Sequence, residues 1–217
     1  MCKKLQTNDP IKGTFNGSSR SMALSRVWFL SRGCKQVPLE YSKNIVRWGH
    51  PDGYFLRANG TKIPNDNVNP ATTKERHPGG TVYPKDRASN KLMHIMMAIT
   101  FHGDRPTFID TKTGKEYVGI CHHLIPDKLN YRPANLLCWL TREQHAEADR
   151  RQRALRKVVP NGDLSVFTYE RLRDLQDPRS MSRELFEQEL AAIRDQHFHR
   201  VDPHAVMLYD MTHHMEV

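Results

Sequence analysis

The sequence predicts an α+β protein in which short antiparallel strands alternate with helices. Two apolar runs flank Asn59-Gly60 in segment 53–63, and this dipeptide tolerates positive φ at both turn positions, so we expect a β-hairpin there. Residues 117–124 and 136–140 have the apolar character of two paired strands. Thr141 and Gln144 have the spacing of a capping box, which predicts that a helix begins directly after the second strand.

Further helices are predicted on both sides of this segment. Ser25–Leu30 is compatible with a strand or a short helix, and Ser89 is expected to N-cap a helix over 90–100. The helix after Thr141 is predicted to end before Pro160, and Thr168 and Ser182 are expected to begin two more helices. The predicted buried positions of the helix over 90–100 are Leu92, Ile95, Met96 and Ile99. Those of the helix after Ser182 are Phe186, Leu190 and Ile193. His94 lies beside the first stripe, where a packed histidine is expected.

Composition excludes several classes of protein. The 217 residues are 38% hydrophobic and 26% charged, and no apolar run approaches the ~20 residues of a membrane helix. No secretory leader opens the sequence, so we expect a cytoplasmic protein. The four cysteines are scattered without a CxxC pair, which argues against a zinc knuckle and a disulfide framework. Cys121 and Cys138 are expected on neighbouring strands as small buried side chains.

Charge divides the chain into regions. The net charge is +9, with ten basic and three acidic residues in 1–60 and six basic and eleven acidic residues in 160–217. A basic surface favours a polyanionic partner, although charge alone also describes an ordinary soluble surface. We predict a basic N-terminal region over 1–85, with a flexible arm in 1–25 and a loop in 64–88. A central domain over 86–160 and an acidic helical region over 161–217 follow.

The central domain contains an ordered set of histidines and an asparagine. His122-His123 is followed by Asn135, in Asn-Tyr-Arg-Pro-Ala-Asn-Leu, and by His145, in Leu-Thr-Arg-Glu-Gln-His. A divalent cation needs ligands from separate segments that converge, and an adjacent imidazole can accept a proton from water near neutral pH.

These motifs, in this order, resemble the HNH endonuclease family, whose site is the ββα-metal finger; the resemblance covers about residues 90–157. It implies a metal-dependent DNA endonuclease of phage or homing type, acting on double-stranded DNA in a bacterial or phage-infected cell. The implied cofactor is one divalent ion, Mg²⁺ first, with Mn²⁺, Ni²⁺ or Zn²⁺ also suited to two imidazoles.

The resemblance assigns a role to each motif residue. His123 is the expected general base, and His122, on the opposite strand face, is an expected metal ligand together with His145. Asn135 is expected to fix the loop and to orient the His123 ring through its amide. Beside His123 we expect an opening of phosphate size, and burial of that ring beneath side chains would argue against a nuclease.

Several assignments remain open at the level of sequence. Many family members place the closing ligand nine residues after the asparagine, whereas His145 follows Asn135 by ten, which leaves Gln144 as an alternative. Asp149, one turn after His145, is a third ligand or else the partner of a nearby arginine.

Nucleic-acid contact is expected from four arginines of this segment, Arg132 in the loop and Arg150, Arg151 and Arg153 on the helix. Arg132 could equally pair with an acid inside the loop, and a charged helix face is usually only solvated. Two other functions remain possible, a non-catalytic metal-stabilised DNA-binding protein and an RNA-directed nuclease of the same fold.

Overall fold

The computed structural model describes residues 24–63 and 83–201, with backbone only for 197–201. Residues 1–23 of the predicted arm and residues 64–82 of the predicted loop lie outside these residues. The described helices are α1 Arg26–Leu30, α2 Met93–His102, α3 Arg142–Val158, α4 Tyr169–Gln176 and α5 Arg183–Val201. The described strands are β1 Lys35–Gln36, β2 Arg47–His50, β3 Tyr54–Arg57, β4 Lys85–Asp86, β5 Lys91–Leu92, β6 Thr107–Ile109, β7 Glu116–Val118, β8 Ile120–His123 and β9 Leu136–Leu140. The predicted α+β class is therefore confirmed.

The described residues form two compact units, one ending at Trp139 and the other beginning at Leu140. This boundary falls within β9. No helix among the described residues has the length and apolar content needed to span a bilayer.

An antiparallel sheet, β1-β2-β3, begins the first unit. β3 also pairs with the residues after the Asn59-Gly60 turn, through a bridge from Leu56 to Lys62, which confirms the predicted hairpin. Trp48 of β2 stacks on Phe29 of α1 at 4.4 Å between ring centroids. Segment 25–30 is thus a helix rather than a strand, and Ser25 caps it through its side chain.

The helix α2 begins later than the sequence predicts. Ser89 is fully buried in the turn between β4 and β5, where its backbone N–H donates to Asp86. Its hydroxyl accepts from Lys91 N–H and lies 3.7 Å from the sulfur of Met96, so it does not cap the helix. The N-cap is Leu92, which has no side-chain capping bond, and the predicted cap at Ser89 is wrong.

Residues 117–124 form two strands instead of one. Glu116–Val118 pairs with Thr107–Ile109, whereas Ile120–His123 pairs with β9. Gly119 separates them, because its N–H donates to Pro106 and its carbonyl accepts from Arg105 Nε. As predicted, β9 begins at Leu136, and the Sγ atoms of Cys121 and Cys138 lie 3.5 Å apart.

The second unit is a cluster of helices packed around apolar side chains. The capping box of Thr141 and Gln144 is present at the start of α3, and the helix ends before Pro160, as predicted. Thr168 caps α4, and the predicted positions of α5 are buried. The buried apolar residues of this unit include Ala148, Leu155, Leu172, Leu175, Phe186, Leu190 and Ile193.

Candidate metal centre

β8 ends with the two adjacent histidines of the motif. Successive side chains of a strand point to opposite faces, so the two imidazoles lie in different surroundings. Both are buried, with 4% of His122 and 7% of His123 exposed. The strand therefore directs the two imidazoles to opposite faces.

His122 belongs to a group of three side chains with metal-ligating atoms. One ligand atom each from His122, His145 and Asp149 lies within 4.8 Å of the other two. Nδ1 of His145 is 3.6 Å from Oδ2 of Asp149, and both of these side chains are partly exposed. Two imidazole nitrogens and one carboxylate oxygen form a donor set that could hold a divalent metal ion.

The start of α3 determines which residue of its first turn belongs to this group. Thr141 Oγ1 accepts from Gln144 N–H, and Gln144 Oε1 accepts from Thr141 N–H at 2.9 Å. The Gln144 side chain is therefore engaged in the cap, and it is His145 that belongs to the group. Asp149, one helical turn later, lies beside His145.

Asn135 is completely buried and holds the loop between β8 and β9. Its Oδ1 accepts from Ile125 N–H, and its Nδ2 donates to the carbonyls of Ile125 and Asn130. These bonds join the end of the loop to its start and to its middle. The amide therefore reaches backbone atoms and not the His123 ring, so the expected direct orientation of that ring is not what the structure shows. Asn135 instead fixes the segment that directly follows His123.

His123 is packed between aromatic side chains. Its ring centroid lies 5.2 Å from that of His94 in α2 and 6.1 Å from that of Tyr83. Burial, with the neighbouring His122 and Lys128, lowers the pKa of His123 to about 4. The ring is consequently neutral at pH 7, the state a proton acceptor requires.

The opening expected beside His123 is not seen among the described residues. With 7% of the residue exposed, only an edge of it reaches solvent, and the expectation of a phosphate-sized opening is wrong. The reason is packing between segments distant in sequence, because His94 and Tyr83 close over a ring that strand alternation alone would leave accessible.

The four predicted DNA-contacting arginines occupy different environments. Arg132 and Arg153 are exposed. Arg150 is paired with Glu147 and Glu187. Arg151 is 1% exposed; it is paired with Glu147 and donates to the carbonyls of Leu175, Asp177 and Met181. The guanidinium of Arg151 is therefore bound inside the second unit.

The loop between β8 and β9 also packs against the β2–β3 turn. Arg132 Nε donates to Asp52 O, and a Cβ on Gly53 would lie 2.7 Å from Arg132 N. A cleft of about 390 Å³ lies beside this contact. It is lined by Asp52, Gly53, Tyr54, Lys62, Asp127, Leu129, Asn130 and Arg132.

Sequence reasoning missed two neighbours of His123. Tyr83 lies in a segment predicted only as loop, and Lys128 was not distinguished from the other lysines. His94 was expected to be packed, and it is buried, but nothing in its local sequence indicated that it packs against His123. All three contacts depend on tertiary structure, and no periodic pattern within one element reports them.

Comparison with known proteins adds no relative: no protein-family model, curated protein or solved structure matches this chain.

Proposed function

We propose that this protein is a metal-dependent endonuclease that hydrolyses phosphodiester bonds of double-stranded DNA. The observation that carries the proposal is the group of His122, His145 and Asp149, with His123 adjacent in the same strand. The motif order resembles that of HNH endonucleases, and the antiparallel pair β8-β9 followed by α3 is compatible with a ββα finger.

Each side chain has a task that follows from its surroundings. His123, neutral at pH 7, accepts the proton of the attacking water. Asn135 positions His123 by fixing the loop that follows it. Arg132 and Arg153, which are exposed, are the arginines proposed to contact the DNA backbone; Arg150 is secondary because it is already paired, and the buried Arg151 is left out.

The metal proposed is Mg²⁺, held by His122, His145 and Asp149. When bound, a divalent ion stabilises the negative charge that develops on the phosphate and the leaving oxygen. Mg²⁺ prefers oxygen ligands, whereas two imidazoles and one carboxylate also suit Mn²⁺, Ni²⁺ and Zn²⁺. We therefore expect Mn²⁺ or Ni²⁺ to support activity at lower concentration than Mg²⁺.

The burial of His123 favours a second candidate, a metal-stabilised DNA-binding protein without nuclease activity. A ring with 7% exposure can serve as a packed core residue without any role in proton transfer. The two candidates make opposite predictions about cleavage, while both predict binding of metal and DNA.

Cleavage of supercoiled plasmid across a series of Mg²⁺, Mn²⁺, Ni²⁺ and Zn²⁺ tests the proposal. We expect nicked or linear product with wild type and a rate reduced at least about 100-fold in His123→Ala. His50→Ala, a change outside the metal group, is the control and is expected to cleave normally. Parallel assays on single-stranded DNA and RNA test whether duplex DNA is the substrate.

Failure of wild type to cleave with every metal would overturn the nuclease and leave the binding protein. Cleavage by His123→Ala at the wild-type rate would show that His123 is not the base.

A further inference from the structure

A lysine in the loop between β8 and β9 lies against the aromatic side chains that surround His123. Nζ of Lys128 is 4.3 Å from the centroid of the Tyr83 ring. The same ring lies 4.8 Å from that of His94 and 6.1 Å from that of His123, between centroids. We call Tyr83, His94, His123 and Lys128 the base cluster.

The electrostatics of the base cluster leave its charge uncompensated. The other three side chains of the cluster are two imidazoles and a phenol, and none of them supplies a negative charge next to Lys128. The positive charge of Lys128 is therefore not neutralised within the cluster. Within residues 24–63 and 83–201, no carboxylate forms an ion pair with Lys128.

The neighbouring acid, Asp127, acts electrostatically on His123 but forms no ion pair with Lys128. Asp127 directs Oδ1 to the backbone N–H of Leu129, at 2.9 Å, in an Asx turn, and its residue lines the cleft beside the β2–β3 turn. The face of a tyrosine ring attracts an ammonium group, but it does not neutralise its charge. A half-buried lysine in such surroundings gains from a bound anion.

We propose that Lys128, which is partly exposed, binds a phosphate of the DNA backbone at the edge of the base cluster, with its ammonium donating to a nonbridging phosphate oxygen. The Tyr83 ring holds the ammonium in place before the DNA binds. This inference rests on the proposed function for the identity of the anion and adds a residue that fixes the phosphate relative to the base.

The test is binding of a short DNA duplex to the full chain without metal, in EDTA, measured by fluorescence anisotropy over a range of salt concentrations. Each phosphate contact contributes about 0.9 to the slope of log affinity against log salt concentration. We expect Lys128→Ala to lower that slope by about one and to weaken binding roughly tenfold at low salt. Lys128→Arg is expected to retain most of the slope.

The matched control is Lys115→Ala, which removes an exposed lysine from the turn between β6 and β7 and is expected to keep the wild-type slope. Circular dichroism of each variant confirms the fold, and Lys128→Met replaces Lys128→Ala if the shorter side chain unfolds the loop. Equal slopes for wild type, Lys128→Ala and Lys128→Met would overturn the inference, since Lys128 would then only cover Tyr83.

The outcome separates this inference from the nuclease proposal. If wild type fails to cleave with every metal and Lys128→Ala lowers the salt slope, the phosphate site is supported and the nuclease is rejected. Cleavage by wild type together with an unchanged slope in Lys128→Ala rejects the phosphate site and keeps the nuclease.

Discussion

At the scale of single residues, a buried histidine of the first unit stays neutral, and this lowers the stability of the folded protein at acidic pH. His94 is 6% exposed, and its Nδ1 has no hydrogen-bond partner among the described residues. Protonation of this ring would place a charge between Tyr83 and His123, close to Lys128. The folded protein therefore disfavours the charged form.

His94 consequently makes stability depend on pH. Its pKa is about 3 in the folded protein and near 6.5 in an unfolded chain, so below pH 6.5 the unfolded chain binds a proton that the folded protein does not. The free energy of unfolding should fall by about 2 kcal/mol between pH 6.5 and 5 from this residue alone. In His94→Leu this part is absent, and urea denaturation at several pH values measures the difference. Parallel pH curves for the two proteins would contradict the prediction.

A second prediction concerns the buried guanidinium of the second unit. Glu147 is bound by Arg150, Arg151 and Arg183, and these hydrogen bonds hold its pKa well below the usual value. Glu147→Gln removes the countercharge of Arg151, which is 1% exposed, so we expect a loss of about 3 kcal/mol of stability. The loss is measured by urea denaturation at pH 7.

Glu187→Gln is the control for this change, because Glu187 is an exposed partner of Arg150. It is expected to cost less than about 1 kcal/mol. Equal losses of stability in the two variants would show that the buried ion pair of Arg151 contributes no more than the exposed pair of Arg150 with Glu187.

At the scale of elements, the β2–β3 turn packs closely against the loop between β8 and β9. Gly53 has φ +81°, and a Cβ there would meet backbone and side-chain atoms of Arg132 at 2.7 Å. Gly114, in the β6–β7 turn, also has positive φ at +65°, but a Cβ there would meet nothing within 4 Å. The two glycines therefore separate the effect of backbone conformation from that of packing.

Gly53→Ala should destabilise the protein more than Gly114→Ala. In both variants, alanine with positive φ lowers the stability by about 1 kcal/mol. Gly53→Ala also displaces the Arg132 backbone, so its total loss of stability is expected to be about 3 kcal/mol. Thermal denaturation compares the two variants. If both lose the same stability, the turn and the loop yield more easily than their spacing indicates.

The elements predicted correctly are those whose signals are local. The capping box at Thr141 places two complementary side chains three residues apart, and the Asn59-Gly60 turn depends on two adjacent residues. Ser89 shows the limit of such reasoning. Its sequence context suits a helix cap, but its N–H donates to Asp86, and the serine lies in the turn between β4 and β5.

The candidate site shows the same division between local and distant contacts. His122, His145 and Asp149 follow from motif spacing and one helical turn, and one possible ligand atom of each lies within 4.8 Å of the other two. The burial of His123 and of Arg151 depends on residues 24 or more positions away, including His94 and Leu175. Likewise, Trp139 takes a φ of +63° inside β9, which nothing in a run of apolar residues indicates.

At the scale of the whole molecule, a metal that binds the folded chain at His122, His145 and Asp149 should raise its stability. Two histidines and a carboxylate converge only after folding, so the unfolded chain binds the ion weakly. At a free metal concentration of 100 times Kd the gain is about 2.7 kcal/mol, and the melting temperature should rise by several degrees. Thermal denaturation with Mn²⁺, Ni²⁺ and Zn²⁺, against EDTA, measures this shift.

The residues of the group then decide whether the shift belongs to them. His145→Ala and Asp149→Ala change partly exposed side chains, so both variants should fold and lose most of the metal-dependent shift. His50→Ala, which removes a histidine stacked on Tyr54 in the N-terminal sheet, should keep the full shift even if its melting temperature is lower. A shift that survives in His145→Ala and Asp149→Ala would place the bound metal elsewhere. It would also remove the observation on which the nuclease proposal depends, because His123 would then have no metal group beside it.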